Sequence, residues 1–275
     1  MSFAPEVPTT RVPPTRVDTD TWVIHQVQNA LGAPLSMYLN SMVIAGAEPV
    51  IVDTGSVNNR HQWLEDAFGI VEPSDVRWVF LSHDDSDHTG NLVAVMESCL
   101  NATLVCSWAI VERFSNAFGF PLGRCRWLND GEAIDVGDRV IRAIRPPVYD
   151  SPATRGFLDE RTGFYWGVDA FATPCPAEPV PTVSDLDRDF WAEGMAMCTH
   201  HALSPWVGLV DRARYAAEVD RVRSLGMTTI ATAHSPLITH ASLDEAFALL
   251  RDIPNAPVPP APNQDVLDII LATVG

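Results

Sequence analysis

LSHDDSDHTG, residues 81–90, packs two of the chain's eight histidines and three aspartates into the six residues from His83 to His88. Like charges crowded this way repel, so such a loop is costly unless something cationic holds it together. In an extended loop, His83 and Asp85 point the same way, whereas Asp87 and His88 lie at the turn beyond it and face a second position a few ångströms away. Two divalent ions about 3.5–4 Å apart are a conventional arrangement for metal-assisted chemistry. The loop alone satisfies neither ion, so further ligands must arrive from the ends of other strands.

The flanking sequence places the loop at a strand-to-helix turn. VRWVFLSH (76–83) reads as a buried strand that delivers His83, and GNLVAVMESCL (90–100) has helical periodicity. Upstream, TWVIHQV (21–27), SMYLNSMVIAG (36–46) and EPVIVDTGS (48–56) read as strands, the last ending at Asp53-Thr54-Gly55, and RHQWLEDAFGI (60–70) as a helix. Downstream, GDRVIRAIRPP (137–147) and TGFYWGVDAF (162–171) are strands, the second carrying Asp169. LVDRARYAAEVDRVRSLG (209–226) is a helix stopped by Gly226, MTTIATAHSP (227–236) a strand ending at His234, and SLDEAFALLRDI (242–253) a late helix. Strands and helices alternating without an internal linker predict one layered α/β domain over residues 21–252. A Pro- and Thr-rich extended arm (1–20) precedes it, and a Pro-rich tail with a short terminal helix (253–275) follows.

Composition narrows the function. The net charge is −17, from 35 acidic and 18 basic residues, and every basic residue is arginine. Without lysine there is no Schiff-base chemistry, and an acidic chain is a poor partner for nucleic acid, whose phosphates need neutralising. Five cysteines with no CxxC pair (Cys99, Cys106, Cys125, Cys175, Cys198) suggest small buried residues in a reducing cytoplasm rather than a disulfide framework. Prolines occupy the N-terminus where a signal peptide needs an apolar stretch, and no run reaches the roughly 18 apolar residues of a membrane span.

HDDSDHTG resembles the HxHxDH signature of the metallo-β-lactamase superfamily, with Asp85 in place of the middle histidine. A carboxylate there is the mark of the flavodiiron branch, which carries HxExDH. VDTG (52–55), VDAFA around Asp169, AHSP (233–236) and LSPWV (203–207) are similar to markers of the same branch. The resemblance implies a four-layer αββα metallo-β-lactamase sandwich with its metal site in the cleft at one edge of the two sheets. By the same likeness, His83 and Asp85 would bind one metal, Asp87, His88 and His234 the second, and Asp169 would bridge. One family ligand is missing: RPPVYDSP (145–152) stands where the family has a histidine, and no histidine occurs between 88 and 200. Three readings remain open there. The first ion keeps an extra water, Asp150 moves in as a ligand, or a single ion sits on Asp87, His88, His234 and Asp169.

The carboxylate-rich donor set points to two divalent ions with iron favoured and zinc or manganese as alternatives. No flavin or nucleotide segment is visible. Asp53 is expected to order the turn by hydrogen bonding. His200 and His201, in CTHHALSP, are either filler or a proton donor or substitute ligand near the metals; Arg155 is either an ion-pair partner or a clamp for an anionic substrate. His25, His61 and His240 are read as structural, and Trp166 and Trp206 as core or pocket wall. The leading expectation is an iron-dependent redox protein that binds or reduces O2 or NO, or oxidises a substrate with O2, fed by a separate electron-donor protein. The alternatives are hydrolysis of an ester, thioester or lactone, with Asp87 orienting the nucleophile, and a non-catalytic metal or gas sensor. The resemblance also implies a homodimer.

Overall fold

The computed structural model describes residues 8–114 and 122–274; the first seven residues of the expected arm lie outside them. The first sheet contains β1 (Thr9–Thr10), β2 (Thr15–Asp18), β3 (Thr21–Asn29), β4 (Leu35–Ile44), β5 (Val50–Val52), β6 (Trp78–Phe80), β7 (Thr103–Cys106) and β8 (Cys125–Trp127). The second contains β9 (Ala133–Asp135), β10 (Val140–Ile144), β11 (Gly156–Asp159) and β12 (Phe164–Trp166). Two further strands complete them: β13 (Cys175–Pro176) pairs with β4, and β14 (Thr229–Ala231) lies parallel to β12. In the first sheet β3, β4 and β5 run antiparallel, and β5 through β8 are parallel. The segment expected as an extended arm supplies β1 and β2, which pair antiparallel with β3.

Period-two alternation sends side chains to opposite faces of each sheet. Met42, Ile44, Val50, Val52, Phe80 and Val105 of the first sheet meet Ile141, Phe157, Phe164 and Trp166 of the second in one buried core. The intervening residues Val43, Ile51, Val79 and Leu104 face the other way. They pack against α1 (Arg60–Ile70), α3 (Leu92–Ser98) and α4 (Trp108–Phe114), whose Trp63, Leu92 and Ile110 are fully buried. α2 (Ser86–Thr89) is the single turn that follows the charged loop. On the far side, Leu158, Tyr165 and Ile230 pack under α5 (Arg188–Cys198), α6 (Arg212–Arg223) and α7 (Leu243–Asp252). The order of layers is helix, sheet, sheet, helix, as the resemblance implies. α8 (Gln264–Val274) ends the chain beyond the Pro-rich tether. Among the described residues no helix is long and apolar enough to cross a membrane.

Candidate metal centre

The parallel strands β5 and β6 end side by side, and the turns after them carry the charged residues. Asp53 follows β5 in a left-handed conformation (φ 55°), and Gly55 (φ 63°) continues the turn. His83 stands three residues past β6, and Asp85 caps α2, which holds Asp87 and His88. In the second sheet, Asp169 and His234 follow the parallel pair β12 and β14 at the same edge. Val168 (φ 57°) and Phe171 (φ 67°), on either side of Asp169, adopt backbone conformations that cost non-glycine residues about 1–3 kcal/mol each. Both are fully buried, so packing holds the turn in this shape.

Three imidazole Nε2 atoms converge on Asp169. Its Oδ2 is 3.2 Å from His83, and its Oδ1 is 3.2 Å from His88 and 3.3 Å from His234. The remaining carboxylates sort onto two sides. Asp87 Oδ2 lies 3.5 Å from His88 and 3.3 Å from His234, whereas Asp85 Oδ2 and Asp150 Oδ2 lie 3.7 and 3.6 Å from His83. Donors about 2.1 Å from a common centre are roughly 3.0–3.4 Å apart in octahedral or tetrahedral shells; the contacts of Asp169, and of Asp87 with His234, fall in that range, whereas those of Asp87 with His88 and of Asp85 and Asp150 with His83 are a few tenths of an ångström wider.

Elements behind the cluster fix which ring nitrogens face it. Asp53 accepts from the Ser82 backbone N–H (2.8 Å) and from the Ser82 hydroxyl (2.7 Å), and faces His88 Nδ1 at 2.8 Å. A carboxylate only accepts, so Nδ1 carries the proton and the Nε2 lone pair of a neutral His88 points at the cluster. His234 Nδ1 donates likewise to the Tyr38 carbonyl at 3.0 Å. The Ser82 hydroxyl, having donated to Asp53, accepts from His83 Nδ1 at 3.2 Å. His83 Nε2, His88 Nε2 and Asp169 Oδ1 are consequently buried without a hydrogen-bond partner. Lone pairs of imidazole and carboxylate aimed at each other call for a cation between them.

Protons compete for the same nitrogen atoms. Burial and the neighbouring His88 push His83 down, but Asp169 and Asp85 outweigh them and raise it to about 10. Burial likewise opposes protonation of His88 and His234, and the surrounding carboxylates override it, raising both. Asp169 is held well below the usual carboxylate range, since the three imidazoles overcome its burial. Burial, chiefly, raises Asp150.

The structure brings His83, Asp85, Asp87, His88, Asp169 and His234 together, with Asp53 behind them and Asp150 beside His83. It separates the remaining candidates. α5 runs into a π-turn, Thr199–Leu203, in which His200 Nε2 faces the Ile253 carbonyl and His201 Nε2 the Pro259 carbonyl. Both histidines thus belong to the anchorage of the C-terminal segment, not to the cluster. Arg155 forms no ion pair among the described residues: it is buried, and its Nη1 donates to the Pro152 and Thr154 carbonyls. Trp166 lies in the core between the sheets. Trp206 instead donates to the Tyr149 carbonyl at 3.0 Å, beside Asp150.

Three supporting residues were not singled out by sequence. Ser82 and the Tyr38 carbonyl act through the fold, and nothing local marks them. Asp84 sat in plain view inside the loop; it binds Arg113 of α4 and accepts from the Ser151 hydroxyl at 3.2 Å, tying the loop to the segment that carries Asp150.

The family model "ODP family beta lactamase" matches residues 37–234, a span that includes every residue of the cluster. Diflavin flavoprotein A 1 of Synechocystis sp. is 22% identical over 203 residues, 73% of this chain and 34% of its own length. An anaerobic nitric oxide reductase flavorubredoxin of Vibrio vulnificus is 23% identical over 99 residues, 36% of this chain and 20% of its own. The chain spans about a third of the length of the curated relatives it matches most broadly. Among solved structures, rubredoxin oxygen:oxidoreductase from Desulfovibrio gigas superposes with a TM-score of 0.74 at 12% identity, covering 87% of this chain and 61% of that one. The likeness establishes the metallo-β-lactamase sandwich.

Proposed function

The chain belongs to the ODP family of β-lactamase-fold proteins, and from that membership we propose that it is a dinuclear, iron-favouring redox domain that binds or reduces O2 or NO. The observation that carries this reading is Asp169, with one oxygen facing His83 and the other facing His88 and His234. A carboxylate so placed would serve two ions at once; rubredoxin oxygen:oxidoreductase, whose name specifies oxygen, shares the fold, and an anaerobic nitric oxide reductase flavorubredoxin is similar in sequence.

His83, Asp85 and Asp150 would hold one ion, and Asp87, His88 and His234 the other. Bound ferrous ions would supply electrons and an open position for a diatomic ligand. Asp53 and the Tyr38 carbonyl keep the Nδ1 protons of His88 and His234 in place, so that both present Nε2 whatever the charge of the centre. The segment around Asp150 is pinned by Ser204 and Trp206, which both donate to the Tyr149 carbonyl at 3.0 Å. Electrons for repeated turnover would come from a donor protein.

Elemental analysis of protein purified without added metal, with optical spectra in air and after anaerobic reduction, tests the proposal. About two irons per chain, with an absorption band that bleaches on reduction and returns with oxygen, is the expected result. Zinc or a redox-silent ion would overturn the redox reading in favour of ester or thioester hydrolysis. His88→Ala and Asp169→Ala should each abolish activity and sharply lower metal content while the far-UV spectrum stays native. Full activity in either would remove that residue from the centre.

A further inference from the structure

We propose that the two metal positions are chemically unequal, one imidazole-rich and retentive, the other carboxylate-rich, exchangeable and receptive to hard cations such as Mn2+. The inference deepens the dinuclear reading above and rests on it.

The donor sets carry the argument. One position offers two imidazoles, His88 and His234, with Asp87 and Asp169 Oδ1. The other offers a single imidazole, His83, with three carboxylates: Asp85, Asp150 and Asp169 Oδ2. Nitrogen donors sharpen the preference for iron over manganese, and oxygen donors flatten it. The supports differ in the same direction. Both imidazoles of the first set are backed by strong acceptors, Asp53 at 2.8 Å and the Tyr38 carbonyl at 3.0 Å, whereas His83 is backed only by a hydroxyl at 3.2 Å. Such backing is worth about 10- to 100-fold in metal affinity. Exposure differs too. The Asp85 side chain is 54% exposed, against 23% for Asp87 and 14% for His234, so the carboxylate-rich side is where an ion meets solvent.

Asp150 is a built ligand and no accident of a loop. Thr154 donates to its Oδ1 at 3.1 Å, which leaves Oδ2 directed at His83. On one side of it Tyr149 is fixed by Ser204 and Trp206, and on the other Ser151 by Asp84. The fully buried, unpartnered His83 Nε2 faces the three carboxylates. Asp150 thereby takes over the histidine's place with a harder, anionic donor.

The experiment uses the whole chain, stripped with a chelator and titrated anaerobically with Fe2+, with Mn2+ and with an equal mixture. Ions per chain come from elemental analysis and the manganese environment from electron paramagnetic resonance. Two binding steps about 10-fold or more apart are expected, with manganese from the mixture enriched in the weaker one. Asp150→Ala should remove the weaker step and leave the stronger; Asp150→His should draw the two together and lower the manganese share. Asp150→Asn, which keeps the side chain's shape, separates loss of a ligand charge from a disturbed segment and should weaken the same step alone. Two ions of indistinguishable affinity and equal manganese content, or a weaker step unchanged in the Ala and Asn variants, overturn the inference and leave the dinuclear reading standing. One ion or none at saturating Fe2+ overturns the dinuclear reading and the inference with it.

Discussion

Asp53 touches no candidate ion position, yet it sets the orientation of His88 and, through the Ser82 hydroxyl, that of His83. Asp53→Asn keeps the size of the side chain but replaces a pure acceptor with a group that can turn an N–H toward His88. Metal affinity should fall about 10- to 100-fold with no change in fold, measured by competition against a chromogenic chelator. Protons and metal compete for the same nitrogen atoms. In the chelator-stripped chain, His83 rises from an unfolded value near 6.5 to about 10 because its carboxylate neighbours outweigh burial and His88. A raised histidine contributes stability that is fully present below the unfolded value and is lost as pH climbs through the folded one. The stripped chain should therefore lose thermal stability between about pH 6.5 and 10, whereas metal affinity should rise across that window as the imidazoles give up their protons. Melting curves of stripped and iron-loaded protein across that range check both signs. The four loop ligands were legible because they sit within six residues of one another. Asp169 and His234 were legible only through the short contexts around them. Ser82 and Tyr38 were not, since a serine and a backbone carbonyl become functional only where distant segments meet.

At the level of elements, the site depends on two turns packed backbone against backbone. The His88 carbonyl accepts from both the N–H (2.7 Å) and the hydroxyl (2.8 Å) of Thr54, and Asn91 Nδ2 returns two bonds to the Thr54 and Ser56 carbonyls. Gly90 makes the approach feasible, as a Cβ there would lie 2.6 Å from the Gly55 carbonyl oxygen and 2.6 Å from the Val57 nitrogen. These are backbone atoms that cannot swing aside. Gly90→Ala should cost about 1–3 kcal/mol through overpacking and should lower metal content, because the turn that yields carries His88. Chemical denaturation and metal analysis of the same sample report the two effects. The helix predicted over residues 60–70 matches α1 to the residue. The strands were harder to bound: β5, β6, β12 and β14 are three residues each, too short for alternation to register within longer apolar runs. α5 and its π-turn went unread, although the turn is what brings Ser204 and Trp206 to the segment of Asp150.

Across the whole molecule, stability and chemistry occupy opposite ends of the sandwich. At the edge away from the cluster, where Asp159 pairs with Phe164 at the start of β12, the Arg139 side chain is fully buried and joins three acidic groups. Its Nη1 donates to Asp159 at 3.1 Å, and its Nη2 to Asp138 at 2.8 Å and to Asp20. Asp20 lies in the turn between β2 and β3 of the first sheet, whereas Asp138, Arg139 and Asp159 belong to the second. The network therefore clasps the two sheets where no metal would help hold them. Replacing Arg139 with methionine keeps the apolar stem but strands Asp159, which is only 1% exposed. Loss of one partner of a buried ionic cluster costs about 3–5 kcal/mol, so the midpoint of denaturation should drop substantially. Ions per chain should nevertheless stay at the wild-type value wherever Arg139→Met remains folded, because β5, β6, β12 and β14 still end together at the other edge. A variant that lost metal in step with stability would mean that the two ends are coupled through the sheets, and that the centre helps to set the packing of the sandwich rather than merely resting on it.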